Sequence, residues 1–142
     1  MNNQKNILII DNNIQNSIRP IKTLQEQHTI TIAGGTKQVQ NYYNSEQYNG
    51  LRCFDIIFVE ACMPPGIFSP EETDDGLHTV WPLYNKFLKD LPNAKIIIWT
   101  HPIQDYMYPT NCYPERRWGD NVLIRKKDPD DNSLVNIVDE CI

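Results

Sequence analysis

The sequence predicts an α/β protein in which helices cover both faces of a parallel sheet. Three observations carry this: apolar runs of strand length, helix-length segments alternating with them, and no compositional break that would mark a second domain, so residues 1–142 read as one unit. Residues 7–10, 54–59, 96–99 and 122–124 are β-branched or aromatic and almost free of polar side chains. Such runs fit strands buried on both faces rather than strands with one wet side. A weaker strand, Thr29–Ala33, is closed by the turn signal Gly34-Gly35.

The helical segments follow in order. Residues 13–27 carry Ile14, Ile18, Ile21 and Leu24 at spacings of three and four, with Pro20 expected to kink the helix or end its first part. Residues 36–48 offer Val39, Tyr42 and Tyr43 as an inner face. Residues 75–91 place Leu77, Val80, Trp81, Tyr84, Phe87, Leu88 and Leu91 on a broad stripe, with Pro82 in the early turns. Residues 129–141 begin at Pro129 and turn Leu134, Ile137, Val138 and Cys141 inward. The stretch 101–121 should hold the fourth helix, but Pro102, Pro109 and Pro114 leave that helix short or missing. Repeated strand–helix alternation implies right-handed crossovers and a doubly wound sheet.

Composition excludes several classes of function. A formal charge of -5, with no basic run longer than Arg125-Lys126-Lys127, offers no field for nucleic acid. Residues 1–5 are polar and lead straight into a strand, unlike a signal peptide or a membrane span, so a cytoplasmic protein is expected. Cys53, Cys62, Cys112 and Cys141 are scattered without CxxC pairing, which suits reduced thiols packed as small apolar groups. His28, His78 and His101 show no metal-ligand spacing and no nucleophile partner.

In open parallel sheets ligands bind beyond the carboxyl ends of the strands. There the sequence places Asp11-Asn12 after the first strand, Glu60 followed by Ala61, Cys62, Met63 and Pro64 after the third, Thr100 after the fourth, and Arg125-Lys126 after the fifth. Acids, a hydroxyl and a base thus converge on one edge.

This set, in this order and over nearly the whole chain, resembles the receiver domain of two-component response regulators. The stretch Phe54-Asp55-Ile56-Ile57-Phe58-Val59-Glu60-Ala61-Cys62-Met63-Pro64 looks like that family's third strand and phosphorylation loop. The resemblance implies a five-stranded flavodoxin-like sheet in the order 2-1-3-4-5. It puts Asp11 and Asn12 on the family's acidic pair, Glu60 on the phosphate-accepting Asp, Thr100 on the hydroxyl and Lys126 on the Lys. Counting back from Asp128-Pro129 favours Arg125 instead as the base, so that position stays open by one residue.

The departures set the functional expectation. Glu60 carries its carboxylate one methylene too far, into the space of the incoming phosphoryl group, and misplacement by about 1 Å can cost on the order of 100-fold in rate. Asn12 removes a charge where the family binds Mg²⁺ directly, so no metal is expected at the vestigial positions Asp11, Asn12, Glu60 and the Cys62 backbone. The base can then pair with Glu60 and leave a pocket of Asp11, Asn12, Glu60, Thr100 and Lys126 satisfied without phosphate; an ordinary strand-end ion pair is the plain alternative. The proline that follows the family's Lys is missing, because Lys127 stands there. The aromatic switch of the fifth strand falls at about Val122 or Leu123, where no ring is present.

The expectation is a stand-alone pseudo-receiver that acts by binding rather than as an enzyme. Its partner would be a protein: a histidine kinase, a signalling or effector protein, or a second copy of the chain, with no nucleic acid and no membrane. Tyr106, Tyr108, Tyr113, Arg116, Arg117 and Trp118 suit such a partner surface or, equally, local packing of a proline-rich loop. A working Mg²⁺-dependent phosphoacceptor in a phosphorelay is the alternative. A flavodoxin-like cofactor binder is the third, with Gly34-Gly35 as its only phosphate cradle and no nucleotide fingerprint around it. The acids Glu71, Glu72, Asp74 and Asp75 match no calcium loop and read as helix capping.

Overall fold

The computed structural model describes residues 4–101 and 118–141. Five parallel strands, β1 (Asn6–Ile10), β2 (Thr29–Ala33), β3 (Ile56–Val59), β4 (Lys95–Thr100) and β5 (Val122–Lys126), form one sheet in the order β2-β1-β3-β4-β5. This is the expected doubly wound architecture. Every residue of β3 is buried, whereas β5, an edge strand, is half-buried through Arg125 and exposed at Lys126.

Strand alternation sorts the core into two layers. Leu8, Ile10, Ile57, Val59, Ile96 and Ile98 pack with Val39 of α2 (Thr36–Tyr43) and with Val80 and Leu83 of α4 (Val80–Leu83). Ile7, Ile9, Ile56, Phe58, Ile97 and Trp99 pack on the other face, against Ile21 and Leu24 of α1 (Ile18–Gln25) and Leu134, Ile137 and Val138 of α5 (Ser133–Cys141).

The helix starts differ from expectation for local reasons. A 3₁₀ turn, Gln15–Ser17, precedes α1, and its tighter winding shifts the phase of the apolar face, so Ile18 is 41% exposed instead of inward. Pro20 lies in the first turn of α1, where its missing N–H costs nothing, and it neither kinks nor ends the helix. Helix α2 stops at Tyr43, and Ser45 caps a separate 3₁₀ turn, Glu46–Leu51, by accepting from the Gln47 N–H. Tyr43 is accordingly exposed, while Tyr42 donates its hydroxyl to the Ile32 carbonyl.

The third expected helix begins at Val80 rather than at residue 75, because Asp74, Asp75 and Gly76 all adopt positive φ. Leu77 is therefore 55% exposed and leaves the stripe. Ahead of that turn lies an unexpected short helix, α3 (Pro70–Thr73), whose Ser69 cap accepts from the Glu72 N–H while its own hydroxyl donates to the Glu72 carboxylate. Glu71 and Glu72 sit in its first turn, as capping acids do. Gly76 is required: a Cβ there would lie 2.7 Å from the Met63 carbonyl. Helix α4 runs on into a π-helical turn, Tyr84–Leu88.

Helix α5 starts four residues after Pro129, because Asp128 and Asp130 first hold an Asx-type turn on the N–H groups of Asp130 and Asn132. Cys53 and Cys141 are free thiols against the core, and Cys62 packs there too, with its Sγ 3.4 Å from the Leu77 carbonyl oxygen. Cys112 and the expected fourth helix fall outside the described residues. Among the described residues no helix is long and apolar enough to cross a membrane.

Candidate functional site

The first residues beyond β1, β3 and β5 are Asp11, Glu60 and Lys127, and the last residue of β4 is Thr100. Parallel pairing brings these strand ends to one edge. The Asp11 N–H donates to the Ala33 carbonyl, the Glu60 N–H to Ile10 and the Lys127 N–H to Thr100, at 3.0, 2.9 and 3.0 Å, so the sheet ladder itself fixes each position.

The side chains close on one another. Lys127 Nζ lies 2.7 Å from Asp11 Oδ2 and 2.6 Å from Glu60 Oε2, with all three side chains almost out of solvent. Thr100 donates its hydroxyl to Glu60 Oε1 at 2.8 Å, and the Cys62 N–H reaches the same oxygen at 3.3 Å. Asp11 Oδ1 accepts from the Asn13 N–H at 2.9 Å. Glu60 Oε2 is held by its contact with the Lys127 ammonium. The Trp99 ring lies beneath the ammonium, with Nζ 4.7 Å from the ring centroid.

Burial on its own would push the Lys127 ammonium toward its neutral form. Its hydrogen bonds and charge contacts with Asp11 and Glu60 outweigh that desolvation and raise its pKa above the ordinary lysine value. The group is thus a fixed cation seated between two acids.

The base is Lys127, which corrects the expectation of Lys126 or Arg125. Lys126 is exposed, and Arg125 is engaged by Glu140, with Nη2 2.6 Å from Oε2. The apolar run ends at Ile124, but the half-exposed edge strand continues for two charged residues. The available signal was positional: the functional group follows the last paired residue, as Asp11 follows Ile10 and Glu60 follows Val59, and Lys126 is still paired with Thr100.

Asn12 is exposed at the rim of an open cleft of about 260 Å³, which Asp11, Glu60, Cys62, His101 and Lys127 also line. His101, which directly follows Thr100 at the end of β4, thereby joins the site. Among the described residues no three His, Cys, Asp or Glu side chains are grouped so as to hold a metal ion. Of the aromatic candidates, Trp118 packs edge-on against Trp81 and Tyr84, both at 5.1 Å, away from the acid pocket. Tyr106, Tyr108, Tyr113, Arg116 and Arg117 lie outside the described residues. Gly34 donates its N–H to Gln38 within the chain, and Gly35 has an extended φ of 167°.

The strand order and the flanking helices are those of the receiver fold. No protein-family model matches the sequence, and no curated protein matches it significantly. Solved structures do match. The chemotaxis protein CheY4 of Vibrio cholerae aligns with a TM-score of 0.54 and 17% identity, over 98% of this chain and 99% of that one. A two-component response regulator from Clostridium difficile gives 0.56 and 19%, over 97% and 93%. An adenylate cyclase structure from Rhodopirellula baltica gives 0.61 and 16%, over 96% and 86%. These likenesses establish the receiver fold.

Proposed function

We propose that this chain is a signal-transduction module of receiver type that works without phosphorylation, by binding another protein rather than by catalysis. The observation that carries the reading is the Lys127 ammonium, which touches both Asp11 and Glu60 at ion-pair distance. Among the described residues the two acids that end β1 and β3, Asp11 and Glu60, are thus already neutralised in part, and Glu60 is further held by Thr100.

Mg²⁺ fits this donor set poorly. The ion demands near-octahedral oxygen ligands, and here Asn12 offers a neutral amide while both carboxylates face an ammonium. Residues that could touch it are Asp11, Asn12, Glu60 and the Cys62 backbone, but binding would first have to break two short ion contacts. The partner would be a histidine kinase, another signalling protein or a second copy of the chain. The likeness to chemotaxis and two-component regulator structures supports that class of partner, and a cytoplasmic location goes with it.

The test is incubation with acetyl phosphate or phosphoramidate plus Mg²⁺, followed by intact mass. An unchanged mass is expected. A stable gain of about 80 Da, one phosphoryl group, would replace this reading with a working phosphoacceptor that uses Glu60 or Asp11.

A further inference from the structure

The ammonium of Lys127 has a third neighbour besides the two acids, and that neighbour offers no oxygen. Trp99 is fully buried and stands edge-on to Phe58 at 5.8 Å, with its own face toward Nζ at 4.7 Å. We propose that Trp99 is a positioning residue that makes this seat selective for an ammonium group over a divalent metal ion, so that the side chain of Lys127 is its occupant.

The chemistry of the three walls supports this. An ammonium carries three N–H groups; it can direct two toward Asp11 Oδ2 and Glu60 Oε2 and rest the third on the π face. A Mg²⁺ ion needs oxygen on every side and retains several waters, and an indole face supplies neither a ligand nor a wall that water would wet. Two acids alone would suit either cation; the ring breaks the tie.

A second observation is independent of that contact. Trp99 Nε1 is buried with no hydrogen-bond partner among the described residues. A phenyl ring would fill the same layer without burying an orphan donor, so packing alone does not favour an indole here. What the indole adds is the largest and most electron-rich face among the side chains, which is the property a cation reads.

The inference rests on the reading of the site as self-neutralised, and its test is separate from phosphorylation. In pulsed acylation with acetic anhydride read by peptide mass, Lys127 of the native chain should react about tenfold or more slower than exposed Lys126, as a protected group does. Trp99→Phe should raise the Lys127 rate modestly and Trp99→Leu most of the way to that of Lys126. By NMR, the Lys127 side-chain methylenes next to the ammonium should show an upfield ring-current shift that shrinks in Trp99→Phe and disappears in Trp99→Leu.

Equal rates at Lys126 and Lys127 in the native chain would overturn the proposal. So would an unchanged Lys127 rate in a Trp99→Phe variant whose remaining amide shifts are native. In Lys127→Ala, ethylammonium should raise Tm more than equimolar Mg²⁺; the reverse order would also overturn it. If that variant does not fold, the labelling of the native chain and of Trp99→Phe decides. A phosphoryl adduct combined with intact Lys127 protection would remove the functional reading and leave this one standing.

Discussion

The two ends of the same sheet bury ionisable side chains in opposite ways. At the carboxyl end Asp11, Glu60 and Lys127 are enclosed as charges, each within 2.7 Å of an opposite charge. At the amino end His28 is only 6% exposed and serves as an acceptor: its Nδ1 takes the Lys5 N–H at 3.0 Å, which a protonated ring nitrogen cannot do. Burial alone therefore does not set the charge state of a group. A partner of opposite sign keeps the charge in, and a backbone donor keeps it out.

The largest expected effect comes from breaking the carboxyl end. Lys127→Met leaves two buried acids facing each other and should cost about 3–5 kcal/mol, the range for removing one partner of a buried ion pair. Urea unfolding measures it. Glu60→Gln keeps an oxygen for the Thr100 hydroxyl but loses the charge opposite Lys127, so a smaller loss of about 1–3 kcal/mol is expected in the same experiment.

The amino end should respond to acid. Burial, the largest influence, lowers the His28 pKa below 6.5; Asp139 opposes it and Lys5 reinforces it. Because the folded value lies below the unfolded one, the stabilisation is complete above pH 6.5 and is lost as pH falls through the folded value. The slope is at most about 1.4 kcal/mol per pH unit for one group. Unfolding free energies of the native chain and His28→Gln, compared below pH 6.5, should converge. Lys127 has the opposite sign: its pKa is raised above 10.5, so its contribution is intact below that pH and fades as pH rises through the folded value.

Much of the fold is legible in the sequence because buried parallel strands are written as uninterrupted apolar runs: the three inner strands, β1, β3 and β4, show them, and the half-exposed edge strand β5 shows a shorter one. The site acids are legible for the same reason, since a polar residue directly after such a run marks a strand end. The base was hidden because β5 is an edge: half-exposed positions tolerate Arg125 and Lys126 inside the strand, so the end of the apolar run is not the end of pairing. Helix starts are not legible where a short-range device overrides periodicity, as the 3₁₀ turn does before Ile18 and three positive-φ residues do before Val80. The Trp99 contact leaves no signal, because a tryptophan inside an apolar run reads as core.

The smallest effects separate neighbouring cations. Arg125→Ala breaks a pair that is 37% and 47% exposed, so after solvent screening less than about 1 kcal/mol is expected. Lys126→Ala should leave stability within about 0.5 kcal/mol of native, as for ordinary surface positions. A loss at Lys126 as large as at Lys127 would mean that the pocket had been assigned to the wrong residue.

The central claim is that an intramolecular ammonium holds the place of the metal at this sheet edge. A Mg²⁺ titration followed by NMR, on the native chain beside the Asn12→Asp, Glu60→Asp double variant, tests it most directly. The native chain should show no saturable shift at Asp11, Glu60 or Lys127, and the double variant should gain one. Saturable Mg²⁺ binding by the native chain, with Lys127 displaced from the two acids, would contradict the account.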